Sequence, residues 1–182
     1  MVSVDTARQL ARTELEDVLP RRWKHVTAVA RRARWVAERL RLSDDLVTAA
    51  WLHDVGYAPR LVDTGFHPLD GARYLRASKV DEAVIGLVAY HSCAPIEADI
   101  RGFGSILAAE FAPGGPQLTA ALLYCDMTTG PDGDYVRPAD RLVEIRGRYG
   151  PEDVVTRFVE LAAPQILATA ASVEELLAVH PR

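Results

Sequence analysis

Apolar residues spaced three and four positions apart are the feature that most limits how this chain can fold. In the segment 21–41 such spacing connects Val26, Val29, Ala30, Ala33, Val36, Ala37 and Leu40. Residues at these intervals lie on one face of an α-helix and form an apolar stripe that must be buried. Similar patterns recur along most of the chain, and no segment alternates apolar and polar residues as a strand does. The sequence therefore predicts an all-α fold, a single-domain helical bundle spanning residues 1–182.

Length, composition and charge narrow the classes of protein and partner. The 182 residues suffice for one domain with a real core, and 49% hydrophobic with 25% charged residues is ordinary for a globular protein. The net charge of -4 gives no reason to expect nucleic acid or an anionic membrane as a partner. We therefore expect neither partner, and the sequence leaves a homo-oligomer open.

The cysteines and the N-terminal residues indicate a cellular compartment. Cys93 and Cys125 both lie inside apolar segments, which is typical of buried free thiols in a reducing environment. The first five residues already turn polar and charged, unlike a signal peptide. No uninterrupted run of 18 or more apolar residues predicts a membrane-spanning helix. We expect a cytoplasmic protein.

Glycine, proline and capping residues predict where several helices begin and end. Gly56 is a natural stop for a third helix that closes with His53-Asp54, and His67-Pro68 opens the next helix. Pro164 should kink or split a helix over residues 152–171. Ser172 and Glu175 fit a capping box that starts a last helix over residues 172–180.

Histidines and aspartates interrupt the apolar helical stripes. His91 follows Val84, Leu87 and Val88 at helical intervals in a predicted helix over residues 80–92, and Asp126 follows Leu122 and Leu123. A buried carboxylate with no basic residue in its own helix needs a cation from elsewhere. Each residue alone has an ordinary structural explanation. Together with His25, His53, Asp54 and His67 they predict a metal site, and imidazole with carboxylate suits Fe, Mn, Zn, Co or Ni.

The order of these residues carries a family resemblance. It runs His25, His53-Asp54, His67, His91, Asp126, within Arg22-Trp23-Lys24-His25, Trp51-Leu52-His53-Asp54-Val55-Gly56, Val88-Ala89-Tyr90-His91-Ser92 and Leu123-Tyr124-Cys125-Asp126. This ordered set resembles the HD-domain superfamily of metal-dependent phosphohydrolases. The resemblance covers residues of about 22–129, and a helical C-terminal extension over about 138–180 follows. His180 has no place in the pattern, and we expect it to be solvated.

The resemblance implies a ligand set and cofactors. One metal ion would be held by His25, His53, Asp54 and Asp126. His67 and His91 match the further histidines of members that hold two ions, and Asp54 would then bridge them. It implies one or two divalent transition metal ions, with Fe or Mn first and Zn, Co, Ni or Mg as alternatives. We predict that His53, Asp54 and Asp126 are catalytic.

The resemblance also implies a reaction, the hydrolysis of a nucleotide or another small phosphoester by metal-activated water. Arg22, one helical turn before His25, and Arg60, in the loop after the His53-Asp54 doublet, are the predicted substrate-binding cations. The pattern is similar to that of HD-type hydrolases of symmetrical diadenosine polyphosphates. Those enzymes usually carry a lysine shortly after the doublet, where this chain reads Val55-Gly56-Tyr57-Ala58-Pro59-Arg60. The departure puts that dinucleotide substrate in doubt.

Two other functions remain open from the sequence. Some HD-domain relatives use the same four histidines and two aspartates to hold two irons and activate dioxygen, so a di-iron oxygenase is the main alternative. A non-catalytic nucleotide-sensing module is the other, and the intact ligand set argues against it.

Overall fold

The fold is helical, as the sequence predicts. The computed structural model describes residues 2–179. The helices are α1 (Val4–Leu15), α2 (Pro20–Leu40), α3 (Asp45–Leu52), α4 (His67–Ala77), α5 (Glu82–Ala89), α6 (Ala94–Arg101), α7 (Gly104–Glu110), α8 (Pro116–Met127), α9 (Pro138–Gly147) and α10 (Val154–Val179). Short 3-10 helices cover Val55–Tyr57, Pro59–Leu61 and His91–Cys93. Within residues 2–179 the strand-like pairing is limited to one isolated bridge between Thr129 and Tyr135. The all-α prediction is confirmed.

The short helix α3 lies at the centre of the bundle. It packs against α1, α2, α5 and α8. Six of its eight residues are buried, because apolar side chains surround it on nearly all sides. The His53-Asp54 pair at its C-terminal end therefore enters the interior of the bundle.

Gly56 has a different role from the predicted helix stop. It lies inside the 3-10 helix Val55–Tyr57, which continues the chain beyond α3. A Cβ atom on residue 56 would lie 2.1 Å from the carbonyl oxygen of His67 and 2.6 Å from the amide nitrogen of Gly71. Glycine is needed here because the backbone of α4 approaches closely, which places His67 beside the His53-Asp54 pair.

The predicted helix over residues 80–92 ends earlier than expected. α5 ends at Ala89, and Ser92 and Cys93 have positive φ angles of 47° and 63°. Left-handed backbone cannot continue an α-helix, so His91 lies in a 3-10 turn instead of on the face of α5. The prediction that His91 belongs to that helix is wrong, although His91 is buried as expected.

The predicted division of the C-terminal segment into separate helices is also wrong. α10 is continuous from Val154 to Val179, with Pro164 inside it. Ser172 donates its hydroxyl to the carbonyl of Ala168, 3.0 Å away, instead of capping a new helix. Packing explains the continuity, because one buried stripe runs through Phe158, Ala162, Ile166, Ala170, Val173 and Leu177. That stripe crosses both predicted breaks, and its burial favours a single helix.

α10 is the helix within residues 2–179 that is long and apolar enough to cross a membrane by length and composition. The sequence analysis predicted no such helix. Core helices of globular proteins meet the same criterion, and α10 packs against α6, α8 and α9. His180 follows α10 and lies outside the described residues, so its solvation stays a prediction.

Candidate metal centre

Six side chains from five separate parts of the fold meet at the end of α3. They are His25 from α2, His53 and Asp54 after α3, His67 from the start of α4, His91 from the turn after α5 and Asp126 from α8. All are buried except His67, which is partly exposed. The structure thus brings together every residue that the sequence predicts as a metal ligand.

Asp54 lies between two groups of histidines. Its Oδ2 is 3.5 Å from Nε2 of His53 and 3.8 Å from Nε2 of His25. Its Oδ1 is 3.5 Å from Nε2 of His67, which is 3.2 Å from Nε2 of His91. In each group, Asp54 with two histidines, the possible ligand atoms lie within 4.8 Å of one another. One carboxylate oxygen therefore faces each group.

Asp126 completes the first group. Its Oδ1 lies 3.1 Å from Nε2 of His25 and 4.0 Å from Nε2 of His53. The second carboxylate oxygen of Asp126 accepts a hydrogen bond of 2.5 Å from the Ser92 hydroxyl. Ser92 thereby holds the carboxylate with Oδ1 facing the histidines.

Backbone carbonyls define the tautomers of three histidines. Nδ1 of His25 lies 3.1 Å from the carbonyl of Gly130, Nδ1 of His53 lies 2.8 Å from that of Ala50, and Nδ1 of His91 lies 2.6 Å from that of Val88. A carbonyl oxygen only accepts hydrogen bonds, so each Nδ1 must carry the proton. Each Nε2 is then a lone pair pointing into the centre, as in histidines that bind metals.

Two local features show that this donor set fits a cation. Nε2 of His53 is buried and has no hydrogen-bond partner. Nε2 of His25 lies 3.1 Å from Oδ1 of Asp126, so an imidazole nitrogen and a carboxylate oxygen meet at the same point in the interior. Imidazole nitrogens and carboxylate oxygens that share a centre suit a divalent transition metal ion.

Four of the six candidate ligands have pKa shifts in the direction that favours metal binding. Burial lowers the pKa of His53 and lowers that of His67 well below the usual value. Burial alone would raise the pKa of Asp54, but the Arg22 guanidinium and the nearby histidines hold it well below the usual value. Burial would likewise raise the pKa of Asp126, and the adjacent His25 and His53 side chains lower it. Neutral imidazoles and ionised carboxylates bind metal without first losing protons.

Arg22 connects this centre to an aromatic ring. Its Nη1 donates to Oδ2 of Asp54 over 2.7 Å, and its guanidinium lies 3.9 Å from the centroid of the Tyr57 ring. The imidazole of His67 also stacks on the Tyr57 ring, with the two ring centroids 4.0 Å apart. Arg22 therefore lies at the edge of the candidate metal centre, and its contact with substrate stays a prediction.

Comparison with known families identifies the fold around this centre. The family model of the HD domain matches residues 22–143, more than half of the chain. The chain belongs to the HD-domain family. The same comparisons found no significant match to a curated protein or to a solved structure.

Membership of the HD-domain family indicates the general class of reaction and cofactor. HD domains bind divalent metals and are typically metal-dependent hydrolase domains, and the buried histidine and aspartate groups of this HD domain could hold such ions. The match specifies no substrate, so the similarity to diadenosine polyphosphate hydrolases stays a prediction. The identity and number of the metal ions stay predictions as well.

Arg60 does not join the site of this HD domain. Its guanidinium donates to the buried Glu14 carboxylate of α1, with Nε 2.6 Å from Oε2, and lies 5.5 Å from the Tyr74 ring. Tyr74 donates its hydroxyl to the same carboxylate. Glu14 needs a positive partner because it is buried. The structure thus corrects the prediction that Arg60 binds substrate: Arg60 ties the loop after α3 to α1.

A cavity of about 320 Å³ opens over the centre and is lined by Asp54, His67, His91 and Asp126. Residues of the C-terminal extension complete its wall, among them Arg141, Arg148, Tyr149 and Phe158. The candidate metal ligands therefore face a cavity whose wall is completed by residues outside the predicted HD-like core of about 22–129.

Sequence reasoning missed several residues that shape this site. Tyr57, Ser92, Arg141 and Arg148 were given no role there. Two of them carried a signal, because Tyr57 follows Asp54 by three residues and Ser92 follows His91 directly. Arg141 and Arg148 are seven residues apart, with Glu144 between them, which is the spacing of one helical face.

Proposed function

We propose that this HD domain is a metal-dependent phosphohydrolase that acts on a nucleotide or another small phosphoester. The observation that carries the proposal is the position of Asp54. Its two oxygens face two groups of imidazole nitrogens, 3.5 Å from His53 and 3.5 Å from His67, beneath an open cavity. Sites that hold two ions around a shared ligand are common in enzymes that cleave phosphoesters.

The charges around the cavity support an anionic substrate. Four arginines and four carboxylates line it, so the positive and negative side chains of the lining are equal in number. The lining is therefore close to neutral before any ion is added. Each bound divalent ion would add two positive charges to this lining, and burying uncompensated charge is costly. A phosphoryl group supplies the missing negative charge.

We propose Fe or Mn as the native metal, held by His25, His53, Asp54 and Asp126, with His67, His91 and Asp54 for a second ion. Zn, Co, Ni and Mg are the alternatives. When bound, such ions supply a water of lowered pKa and stabilise negative charge on phosphoryl oxygens. The phosphoryl group of the substrate must face the side of the cavity where these donor atoms lie.

The protein groups have distinct proposed roles. Arg22 is bonded to Asp54 and only 24% exposed, so it keeps Asp54 ionised and presents its remaining N–H groups to the cavity. A guanidinium is suited to phosphoryl oxygens because its planar fork matches their geometry. Asp54 and Asp126 are the two carboxylates close enough to the centre to accept a proton from the attacking water. His53 holds a lone pair toward both carboxylates.

Metal analysis and an activity screen test this proposal together. The purified chain should contain one to two equivalents of transition metal by elemental analysis. It should release phosphate from at least one compound in a panel of nucleotides and phosphoesters, under anaerobic conditions with Mn, Fe, Co, Ni or Mg. Loss of a group that hydrogen-bonds to a metal ligand typically lowers activity by about 10-fold to 100-fold. Asp54→Asn removes a ligand itself, so it should lower the rate by more than about 100-fold. Asp44→Asn changes an exposed aspartate and should leave the rate unchanged.

The oxygenase alternative gives a different result in the same screen. Oxygen uptake with a mixed-valent iron signal, and no phosphate release, would reject the hydrolase and favour a di-iron oxygenase. A folded protein that binds neither Mn nor Fe would reject both enzymes.

A further inference from the structure

Arg141 is a buried cation with an incomplete set of partners. Its side chain is only 5% exposed, its Nη1 donates to Glu144, and its Nε has no hydrogen-bond partner. A buried guanidinium with an unpaired N–H costs free energy, so such a group in a folded protein needs an explanation. Arg141 also lines the cavity above the candidate metal centre. An anion in that cavity would therefore lie beside a buried guanidinium whose one carboxylate partner is Glu144.

Arg148 adds a second positive charge at the same wall. Its Nε lies 3.0 Å from the carboxylate of Glu144, the same residue that accepts from Arg141. Two guanidiniums therefore share one carboxylate and leave one positive charge in excess. Glu144 itself is not among the described residues that line the cavity, whereas both arginines are. The wall that α9 presents to the cavity is thus cationic.

Arg22 lines the same two cavities as Arg141 and Arg148 and also contacts the candidate metal centre. Arg22, Arg141 and Arg148 all line both this cavity and a neighbouring one of about 280 Å³. The three residues therefore lie between the two cavities. Arg22 is already bonded to Asp54 at the metal centre, while Arg141 and Arg148 are bonded to no metal-site residue.

We propose that Arg141 and Arg148 form a second anion site, which binds an additional phosphate or carboxylate of the substrate. This inference rests on the proposed hydrolase, whose reacting phosphoryl group would face the histidines and aspartates. The substrate class it names is a small phosphoester with a second anionic group at its other end. Arginine suits this role because its fork binds phosphate or carboxylate oxygens in pairs.

Inorganic phosphate titrated into the metal-free full-length protein tests the second site without the metal centre. By isothermal titration calorimetry, the wild-type chain should bind one phosphate. Arg148→Gln should raise the Kd about tenfold or more, which corresponds to about 1.4 kcal/mol. Arg148 is one-third exposed, so this variant should fold. Arg141→Gln should have the same effect, and circular dichroism checks its fold.

Arg146→Gln is the matched control. Arg146 belongs to the same helix, is 54% exposed and pairs with Glu160 instead of lining the cavity. This variant should bind phosphate as the wild type does. Equal phosphate affinity in the wild-type, Arg148→Gln and Arg146→Gln proteins would overturn the second site, and so would a metal-free wild type with no saturable phosphate binding.

The manganese-loaded protein separates this inference from the proposed hydrolase. Loaded wild-type protein should bind two phosphates, and loaded Arg148→Gln only one, with unchanged manganese content. A chain that binds metal and hydrolyses phosphoesters, yet binds one phosphate in both proteins, keeps the hydrolase and loses the second site. A chain without metal or hydrolysis whose phosphate binding still depends on Arg148 keeps the anion site and loses the hydrolase.

Discussion

The ring of Tyr57 stacks on the imidazole of His67 with centroids 4.0 Å apart and planes tilted by 18°. Arg22 covers Tyr57 at 3.9 Å, so a cation, a phenol and an imidazole form one stack at the edge of the metal centre. His67 is the candidate ligand that is partly exposed and has no backbone carbonyl at its Nδ1 among the described hydrogen bonds. Tyr57 therefore does for His67 what carbonyls do for the other three histidines: it holds the ring in place.

We predict that Tyr57→Leu weakens metal binding at the His67 and His91 group. Groups that orient a metal-binding histidine typically contribute 10-fold to 100-fold to metal affinity. The Kd for the second equivalent of Mn should rise about tenfold in a calorimetric titration, while the first equivalent binds as before. Tyr57→Phe keeps the ring and should stay within about threefold of the wild type. Equal affinity in Leu and Phe variants would show that the stack does not support His67.

Much of this centre could be predicted from the sequence because its ligands form an ordered pattern on helices. His25, His53, Asp54, His67, His91 and Asp126 were named from their order and their apolar surroundings. Their convergence follows from the helical bundle, in which α3 ends at the centre. The residues that orient the ligands were not predictable in this way. Tyr57 and Ser92 act through contacts that depend on the turn geometry after α3 and α5.

The errors in the sequence analysis come from tertiary packing. Pro164 and Ser172 are local signals for helix ends, yet the buried stripe of α10 keeps one helix through both of them. Arg60 was near the doublet in sequence, but buried Glu14 is the stronger partner because its carboxylate has no access to water. In each case, burial of a group far away in the sequence outweighed a local preference.

We predict that Gly56→Ala strongly destabilises the protein. The added methyl group would lie 2.1 Å from the carbonyl oxygen of His67, and a backbone atom cannot move aside without displacing α4. Overpacking of this kind costs about 3 kcal/mol or more. In a chain of this length the melting temperature should fall by about 6–12 °C in differential scanning calorimetry.

Gly147→Ala is the control for that experiment. Gly147 ends α9, and a Cβ atom there would meet nothing within 4 Å. Alanine is favoured over glycine in a helix, so the free energy of unfolding should stay equal or rise by up to about 1 kcal/mol. A Gly56→Ala protein as stable as Gly147→Ala would contradict the close approach between the turn after α3 and the start of α4.

We predict that the two thiols of the folded protein react slowly at pH 8. Both cysteines are free and buried, and burial raises the pKa of Cys93 to about 11. Burial raises the pKa of Cys125 as well. The thiolate is the reactive form, so only about one Cys93 in a thousand is reactive at pH 8. Labelling by Ellman's reagent should rise with pH toward 11 and reach two thiols per chain in denaturant. Rapid labelling of the folded chain at pH 8 would contradict the burial.

Metal stoichiometry is the sharpest test of the shared position of Asp54. Oδ2 of Asp54 faces His25 and His53, whereas Oδ1 faces His67. We therefore predict that Asp54→Asn abolishes binding of both ions, while His91→Gln removes only one of two equivalents. Asparagine keeps the volume of the side chain and an oxygen for Arg22, which limits the destabilisation caused by an unpaired buried cation.

Elemental analysis of variants loaded with the same excess of Mn would measure this difference, with circular dichroism to confirm the fold. His180→Ala lies outside the ligand pattern and should keep both equivalents. Since Asp54 contributes to both groups and His91 to one, we expect metal content to decrease in the order wild type, His91→Gln, Asp54→Asn. An Asp54→Asn protein that retains one equivalent would mean that one group binds its ion without the shared carboxylate. An His91→Gln protein that retains none would mean that the two groups fill only together, and either result would contradict the arrangement described here.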